Sequence, residues 1–211
     1  QKQYMIDFIG KSVILWDFDG VILDSMLVRE YGFKKVLEKY PQEQVEELLN
    51  FHKENGGLSR YVKFRYFFEE IRNEDLKKEK LKAVTERYSE IMRAKLVSQK
   101  NLIPESVDFI KENYLDYKMH IVSGSEGEEL RFLCNRLGID KYFETINGSP
   151  TPKIELVANL VTKYNYKPKK LCLIGDSQND YEAAKKNHID FYGYNNPSLK
   201  GLGSHYINAL I

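Results

Sequence analysis

A short apolar run that ends in two carboxylates constrains the fold of this chain more than any other feature. Val13 to Trp16 is uninterrupted apolar sequence, Asp17 and Asp19 follow it, and Gly20 comes next. A run of this length bounded by glycine is typical of a buried strand, and open α/β sheets carry their chemistry at the carboxyl ends of such strands. Because extended backbone repeats every two residues, both aspartates can start toward one region, and Gly20 permits a sharp turn. The alternative is a pair of solvated turn aspartates.

Two further apolar runs also end in polar residues. Lys118 to Ser123 runs into Gly124, and Lys170 to Ile174 runs into Gly175-Asp176. In a doubly wound parallel sheet these strand ends converge on one crevice. The residues that would meet there are four carboxylates, a hydroxyl and an ammonium: Asp17, Asp19, Asp176, Asp180, Ser123 and Lys153. Such a cluster requires a countercharge and a metal, and Mg²⁺ is the hard cation that carboxylates and a phosphate share.

The chain between the first strand and about residue 98 has a different character. It is rich in charge, it shows helical periodicity, and Pro41 and the Gly56-Gly57 pair divide it. We therefore predict an α/β fold with a doubly wound, Rossmann-like parallel sheet and an inserted α-helical bundle as a cap. The predicted core comprises residues 1–24 and 99–211, and the predicted cap comprises residues 25–98. Tyr61, Phe64, Phe68 and Ile71 recur at helical spacing, which favours a packed core over a ligand site.

From Asn101 onward, helical and strand patterns alternate in the manner of a parallel sheet. Pro104 fits the first turn of a helix that reaches about Tyr114. The remaining predicted helices cover residues 126–137, 153–164 and 179–187. The remaining predicted strands cover residues 118–123, 142–146, 170–174 and 189–194.

Composition excludes several classes of protein. The hydrophobic fraction of 42% can fill a core, and a net charge of +1 gives no general attraction to nucleic acid or to an anionic membrane. Cys134 and Cys172 lie in apolar stretches and are predicted to be free buried thiols, which favours a reducing, cytoplasmic location. No apolar run approaches the length of a membrane span, and Gln1 to Lys11 lacks the apolar centre of a signal peptide.

Four motifs in order, DFDGV, SGS, a helix-opening Lys153 and GDSQND, resemble those of haloacid-dehalogenase-like hydrolases. The resemblance covers essentially the whole chain and is to phosphatases with an inserted helical cap, similar to phosphoglycolate phosphatases and β-phosphoglucomutases. It implies that Asp17 attacks phosphorus and becomes an aspartyl-phosphate. It also implies that Asp19 protonates the leaving alkoxide and then activates water. The implied partner is a small phosphorylated metabolite, and the oligomeric state stays open.

The same resemblance implies roles for the other motif residues. Ser123 would bind a phosphoryl oxygen, with Gly20 and Gly124 allowing close approach of the backbone, and Lys153 would neutralise charge. Mg²⁺ would be held by Asp17, the main-chain carbonyl of Asp19, and Asp176, with Asp180 acting through water or by orienting Lys153. In the alternatives, Lys153 is a solvated lysine and Ser123 is a helix N-cap, although Ser125 ahead of Glu128 fits that N-cap better.

Arg60 is the candidate cap residue for substrate binding. It follows the Gly56-Gly57 pair, whose loop is expected to reach the crevice, and its guanidinium suits a second anionic group on the substrate. The alternative is a surface arginine paired with Glu30 or Glu69. The four histidines lack ligand spacing, and none is assigned a catalytic role.

Relatives with this architecture also include dehalogenases, phosphonatases and phosphomutases, and three other functions compete with a Mg²⁺-dependent phosphatase. Dehalogenases do not need the acid at Asp19. A phosphomutase is favoured by the likeness of Gly57 to Arg60 to the specificity loop of β-phosphoglucomutase. It is opposed by Arg29, where those mutases carry histidine, and by Gly175, where they carry glutamate. A non-catalytic phospho-ligand binding module is the third alternative. For the phosphatase, sugar phosphates and small phospho-acids such as phosphoglycolate both remain open as substrates.

Overall fold

The computed structural model describes residues 8–203 and 205–210, and a parallel sheet forms the centre of the described part. Its strands are β1 (Val13–Trp16), β2 (Lys118–Glu126), β3 (Thr145–Ser149), β4 (Leu171–Gly175), β5 (Asp190–Tyr194) and β6 (His205–Ile207). Their order in the sheet is β3-β2-β1-β4-β5-β6, and every neighbouring pair is parallel. The predicted doubly wound parallel sheet is therefore confirmed.

Strand β1 is buried on both faces. Ile14 and Trp16 belong to one apolar cluster and Val13 and Leu15 to another, as the two-residue repeat of a strand requires. This double burial explains why the strand is a continuous apolar run without alternation.

Eight α-helices are assigned among the described residues. They are α1 (Met26–Val36), α2 (Gln42–Glu54), α3 (Arg60–Arg65), α4 (Lys78–Lys95), α5 (Pro104–Asn113), α6 (Gly127–Arg136), α7 (Lys153–Lys163) and α8 (Gln178–Lys186). A π-helical segment, Tyr66–Ile71, continues α3 without a break. Pro104 occupies the first turn of α5, as predicted.

Helices α1 to α4 follow β1 directly, and no strand lies between them in the described chain, as the sequence predicts for residues 25–98. Phe64 and Phe68 are fully buried, in agreement with a packed core. The apolar cluster that contains them also contains Trp16 and Ile121 of the sheet. The helices and one face of the sheet thus share a continuous core, and the division of the chain into two domains stays a prediction.

Strand β2 is three residues longer than the predicted strand 118–123, one predicted strand is displaced, and one strand was not predicted. The predicted strand at residues 142–146 lies three residues further on, because Asp140–Tyr142 forms a 3₁₀ turn and pairing with β2 places Ile146 opposite Ile121. Strand β6 has only three residues, too few for a periodic signal, and was not predicted.

Both cysteines are free and buried, which confirms that prediction. Among the residues that the structure describes, none of the helices has the length and apolar character needed to cross a bilayer.

Candidate active site

Three predicted site residues lie at the carboxyl ends of adjacent strands. Asp17 follows β1, Ser123 lies in β2, and Asp176 follows β4. Because β1 lies between β2 and β4, these ends meet at one edge of the sheet. The backbone N–H of Asp17 donates to the carbonyl of Ile174 at 2.9 Å and so continues the pairing of β1 with β4 to the site itself.

The turn after Asp19 is tight and requires glycine. Gly20 has a φ of +77°, and a Cβ at this position would overlap the carboxylate of Asp176. The close approach therefore holds the loop after β1 against the residue after β4, and it leaves no room for a side chain other than hydrogen.

Lys153 joins two of the carboxylates. It is the first residue of α7, it is buried, and its Nζ donates to Oδ1 of Asp17 at 2.9 Å and also to Oδ1 of Asp180. Burial acts to lower the pKa of Lys153, but the charges of Asp17 and Asp180 raise that pKa above its ordinary value. Lys153 is thus a buried cation at the site, and the alternative of a solvated lysine is wrong.

Asp180 is held on both of its oxygens. Oδ1 accepts from Lys153, and Oδ2 accepts from the backbone N–H groups of Asp176 and Ser177 at 3.1 Å and from the Ser177 hydroxyl at 2.8 Å. Ser177 and Asp180 form the capping box of α8. The start of α8 therefore fixes the carboxylate that orients Lys153, one of the two roles expected for Asp180.

The acidic cluster fits a divalent cation. Asp17, Asp176 and Asp180 each offer a carboxylate oxygen, and these atoms lie within 4.8 Å of one another. Burial and the charge of Asp180 raise the pKa of Asp17 above its usual range and raise that of Asp176 to about 7. With all three carboxylates ionised, the single ammonium of Lys153 leaves two excess negative charges, which is the charge a divalent cation neutralises. Oxygen-only donors are the set that Mg²⁺ prefers.

Asp19 has a different environment from Asp17. Its Oδ1 accepts from Ser25 and from Nε and Nη2 of Arg29, at 3.1 and 3.0 Å for the arginine, and its Oδ2 accepts from Ser125. Burial acts to raise the pKa of Asp19, but Arg29 and the two hydroxyls together lower that pKa to about 2. Asp19 is therefore an ionised carboxylate here, paired with α1 and separate from the acidic cluster.

Neither Ser123 nor Ser125 is the N-cap of α6, the alternative role that the sequence offered for them. The N-cap of α6 is Glu126, whose side chain accepts from the backbone N–H groups of Glu128 and Glu129, so neither serine caps this helix. Ser125 instead contacts Asp19 and Arg29. Ser123 is buried, and its hydroxyl accepts from the backbone N–H of Ser125 at 3.0 Å.

Arg60 has a partner that the sequence analysis did not consider. It is 4% exposed, and Nη1 and Nη2 donate to the two carboxylate oxygens of Glu129, while Nη1 also donates to Ser89 at 2.7 Å. Arg29 donates to the same carboxylate at 3.2 Å. The surface alternative for Arg60 is wrong, since Glu30 pairs with Lys53 and Glu69 with Arg65. A contact between Arg60 and a substrate stays a prediction.

These residues enclose a small cavity between α1–α3 and the strand ends. Its volume is about 40 Å³, and its walls include Asp17, Asp19, Ser123, Arg29 and Arg60. The loop at Gly56-Gly57 contributes as well, through Gly56 and Leu58.

Gly124 lies against this loop. A Cβ on Gly124 would overlap the carbonyl of Gly57, and the N–H of Gly57 donates to Asn179 at 3.2 Å. The predicted approach of this loop to the crevice is thereby confirmed.

Sequence reasoning missed several residues of the site: Ser25, Ser125, Glu129, Lys63 and His52. Ser25 precedes a helix by one residue, and that position was the one usable signal. The contacts of Arg29 and Arg60 with Glu129 span 100 and 69 residues, so no local spacing reveals them.

Known proteins with similar sequences include phosphatases. A curated relative from Thermotoga maritima, a phosphorylated carbohydrates phosphatase, is 24% identical over 190 residues and covers 86% of this chain and 84% of its own length. A phosphoglycolate phosphatase from Aquifex aeolicus is 25% identical over 202 residues, covering 86% of this chain and 85% of its own.

Solved structures with the same fold include two proteins with higher coverage. The β-phosphoglucomutase of Clostridium difficile has a TM-score of 0.74 at 17% identity and covers 95% of this chain and 92% of its own. CbbY from Rhodobacter sphaeroides in complex with phosphate has a TM-score of 0.75 at 15% identity and covers 95% of each chain. The sequence model of the haloacid dehalogenase-like hydrolases matches residues 14–194, and this chain belongs to that family.

Proposed function

We propose that this protein is a Mg²⁺-dependent phosphatase that hydrolyses a small phosphomonoester through an aspartyl-phosphate intermediate. The observation that carries the proposal is the arrangement around Lys153, whose buried ammonium joins Asp17 to Asp180 beside Asp176. Relatives in the same family are phosphatases of phosphorylated carbohydrates and of phosphoglycolate, which supports a small phosphorylated metabolite as substrate.

Asp17 is the proposed nucleophile. Its Oδ1 is held by Lys153, so its other oxygen is left to attack phosphorus, and the ammonium neutralises charge on the nucleophile and on the phosphoryl group. Asp17, the main-chain carbonyl of Asp19 and Asp176 would hold Mg²⁺. When bound, Mg²⁺ supplies charge neutralisation that lowers the pKa of the clustered carboxylates and of the transferred group.

Asp19 is the proposed acid and base. While Arg29 donates to it, the carboxylate of Asp19 is ionised and suited to take a proton from the water that cleaves the aspartyl-phosphate. To protonate an alkoxide in the first step, Asp19 must carry a proton. Because the charge of Arg29 lowers the pKa of Asp19, this requires the ion pair between the two residues to break. Because Arg29 lies on α1, movement of this helix would couple substrate binding to the protonation of Asp19.

Release of inorganic phosphate from a panel of sugar phosphates, phospho-acids and p-nitrophenyl phosphate tests the proposal. We expect turnover with Mg²⁺ and none after exhaustive chelation, and we expect Asp17→Asn to be inactive while remaining folded. Conversion of a sugar monophosphate to its isomer, stimulated by a sugar bisphosphate and with little free phosphate, would instead support the mutase alternative. Failure to release phosphate from any monoester would support the binding-module alternative.

A further inference from the structure

Two buried nitrogen-bearing side chains border the same cavity but have no part in the proposed chemistry. His52 lies on α2 and Lys63 on α3, each is 4% exposed, and both line the cavity with Asp17 and Asp19. Nζ of Lys63 lies 2.9 Å from Nδ1 of His52 and 3.5 Å from the carbonyl oxygen of Gly56. They form a buried polar pair between α2 and α3.

Lys63 differs from the two arginines that border the cavity. Arg29 pairs with Asp19 and Glu129, and Arg60 pairs with Glu129. In the part of the chain that the structure describes, no carboxylate oxygen forms an ion pair with Lys63. A buried ammonium without a counterion is costly, so the site favours the arrival of an anion.

The charges that act on Lys63 agree with that cost. Burial is the largest cause that lowers the pKa of Lys63, Asp19 opposes it, and the positive charges of Arg29, Arg60 and Lys153 add to it, so that the pKa lies at about 7. Binding of one more negative group at Lys63 would offset both the burial and the neighbouring positive charges.

The hydrogen-bond inventory of the pair also indicates an absent acceptor. When the ammonium of Lys63 donates to Nδ1 of His52, the ring proton must be on Nε2, which makes Nε2 a donor. Nε2 is buried and has no partner. Lys63 has three N–H groups and one short contact, so each of these two cavity-lining residues has at least one N–H without an acceptor at short distance.

We infer that Lys63 and His52 recognise a carboxylate on the leaving group, so that the preferred substrate is a short phosphorylated hydroxy acid. This inference rests on the proposed function. A carboxylate supplies the missing charge and two acceptor oxygens for the two donors. The cavity is small, about 40 Å³, which suits a carboxylate on a short linker better than a sugar ring or a second phosphate.

The test on the unmodified protein uses two substrates that differ in one group. Phosphoglycolate and phosphoglycolamide have the same number of non-hydrogen atoms, but only the first carries the carboxylate. We expect kcat/KM with Mg²⁺ to favour phosphoglycolate by about ten- to a hundredfold, the range of one or two charge-assisted hydrogen bonds. Equal values for the two substrates, or faster hydrolysis of propane-1,3-diol bisphosphate, would overturn the inference without any variant.

The residue assignment is tested with Lys63→Met and His52→Phe, of which the second keeps a ring against Phe33. Each should reduce the preference for phosphoglycolate over the amide, Lys63→Met by at least tenfold. Lys53→Met is the matched control, since Lys53 lies on the same helix as His52 with a side chain 54% exposed and should keep the full preference. Equal losses on both substrates would mean a structural role and refute the assignment.

These experiments distinguish failure of the carboxylate site from failure of the proposed phosphatase function. Phosphate release from p-nitrophenyl phosphate without any preference between the two matched substrates would keep the phosphatase and refute the carboxylate site. Absence of phosphate release from all monoesters would refute the phosphatase and this inference with it.

Discussion

The substitution Glu129→Gln should destabilise the protein more than its small chemical change suggests. Glu129 is fully buried on α6, and its carboxylate accepts from Nη1 of Arg29 at 3.2 Å and from both terminal nitrogens of Arg60. Glutamine keeps one acceptor oxygen, removes the negative charge, and turns an NH₂ group toward guanidinium donors. Breaking a buried ion pair by removing one partner costs about 3–5 kcal/mol. In the variant, Arg29 still pairs with Asp19 and Arg60 still donates to Ser89. We therefore expect a loss of stability at the lower end of this range, about 3 kcal/mol.

Urea unfolding followed by circular dichroism measures this change in the free energy of unfolding. Glu128→Gln is the matched control, because Glu128 is the exposed neighbour on the same helix and its substitution should change stability by less than about 0.5 kcal/mol. A loss below about 1 kcal/mol in Glu129→Gln would refute the reasoning, since it would mean that water, and not the carboxylate, satisfies the two arginines. In the double variant with Arg60→Met, part of the loss should be recovered, because the guanidinium that Glu129→Gln leaves without a carboxylate partner is gone.

The remaining predictions concern the chemistry and its pH dependence. Asp17→Asn should abolish turnover and slightly raise thermal stability without metal, because one of three mutually repelling carboxylates is removed, and a lower melting temperature would contradict this. Asp19→Ala should reduce hydrolysis of alkyl phosphates by about 10²–10⁴-fold and that of p-nitrophenyl phosphate far less, and equal losses would limit Asp19 to holding metal or cap. For Lys63, burial lowers the native pKa to about 7, so above that pH the unfolded chain binds a proton that the native protein does not. The stability advantage of Lys63→Met over the unmodified protein should therefore shrink by about 1.4 kcal/mol per pH unit from pH 7 toward pH 10, and a constant difference across urea titrations would contradict a buried amine.

The fold was predictable because its strongest constraints are local. The apolar runs that became β1, β2 and β4 are buried on both faces, and the predicted polar residues directly follow β1 and β4 and lie in the last four residues of β2. Lys153 could be predicted because it opens a helix directly after Pro152. That helix, α7, follows β3 and therefore begins at the edge of the sheet where the strands end. The short strand β3 was misplaced because pairing with β2, and not its own composition, sets its limits.

The environment of each side chain was less predictable than its identity. Asp17 and Asp19 are two residues apart, yet one joins the metal-type cluster and the other pairs with Arg29. The contacts of Asp17 depend on residues far along the chain, whereas Arg29 follows Asp19 by only ten residues. His52 was dismissed because no metal-ligand spacing includes it, but packing of α2 against α3 brings it to Lys63. Sequence patterns predict which side chains of a helix or strand are buried, whereas the residues that these side chains contact on other elements depend on the assembled fold.

The continuous apolar cluster that joins the helices of residues 26–95 to one face of the sheet has a consequence for cooperativity. Phe33 and Phe64 from the helices belong to the same cluster as Trp16 and Ile121, so neither part can melt without exposing apolar surface of the other. Calorimetry should accordingly record one heat-absorption peak, with a calorimetric enthalpy equal to the van't Hoff enthalpy. In hydrogen exchange, the slowest amides of α1 and of β1 should share one opening free energy, because both are released in the same global event.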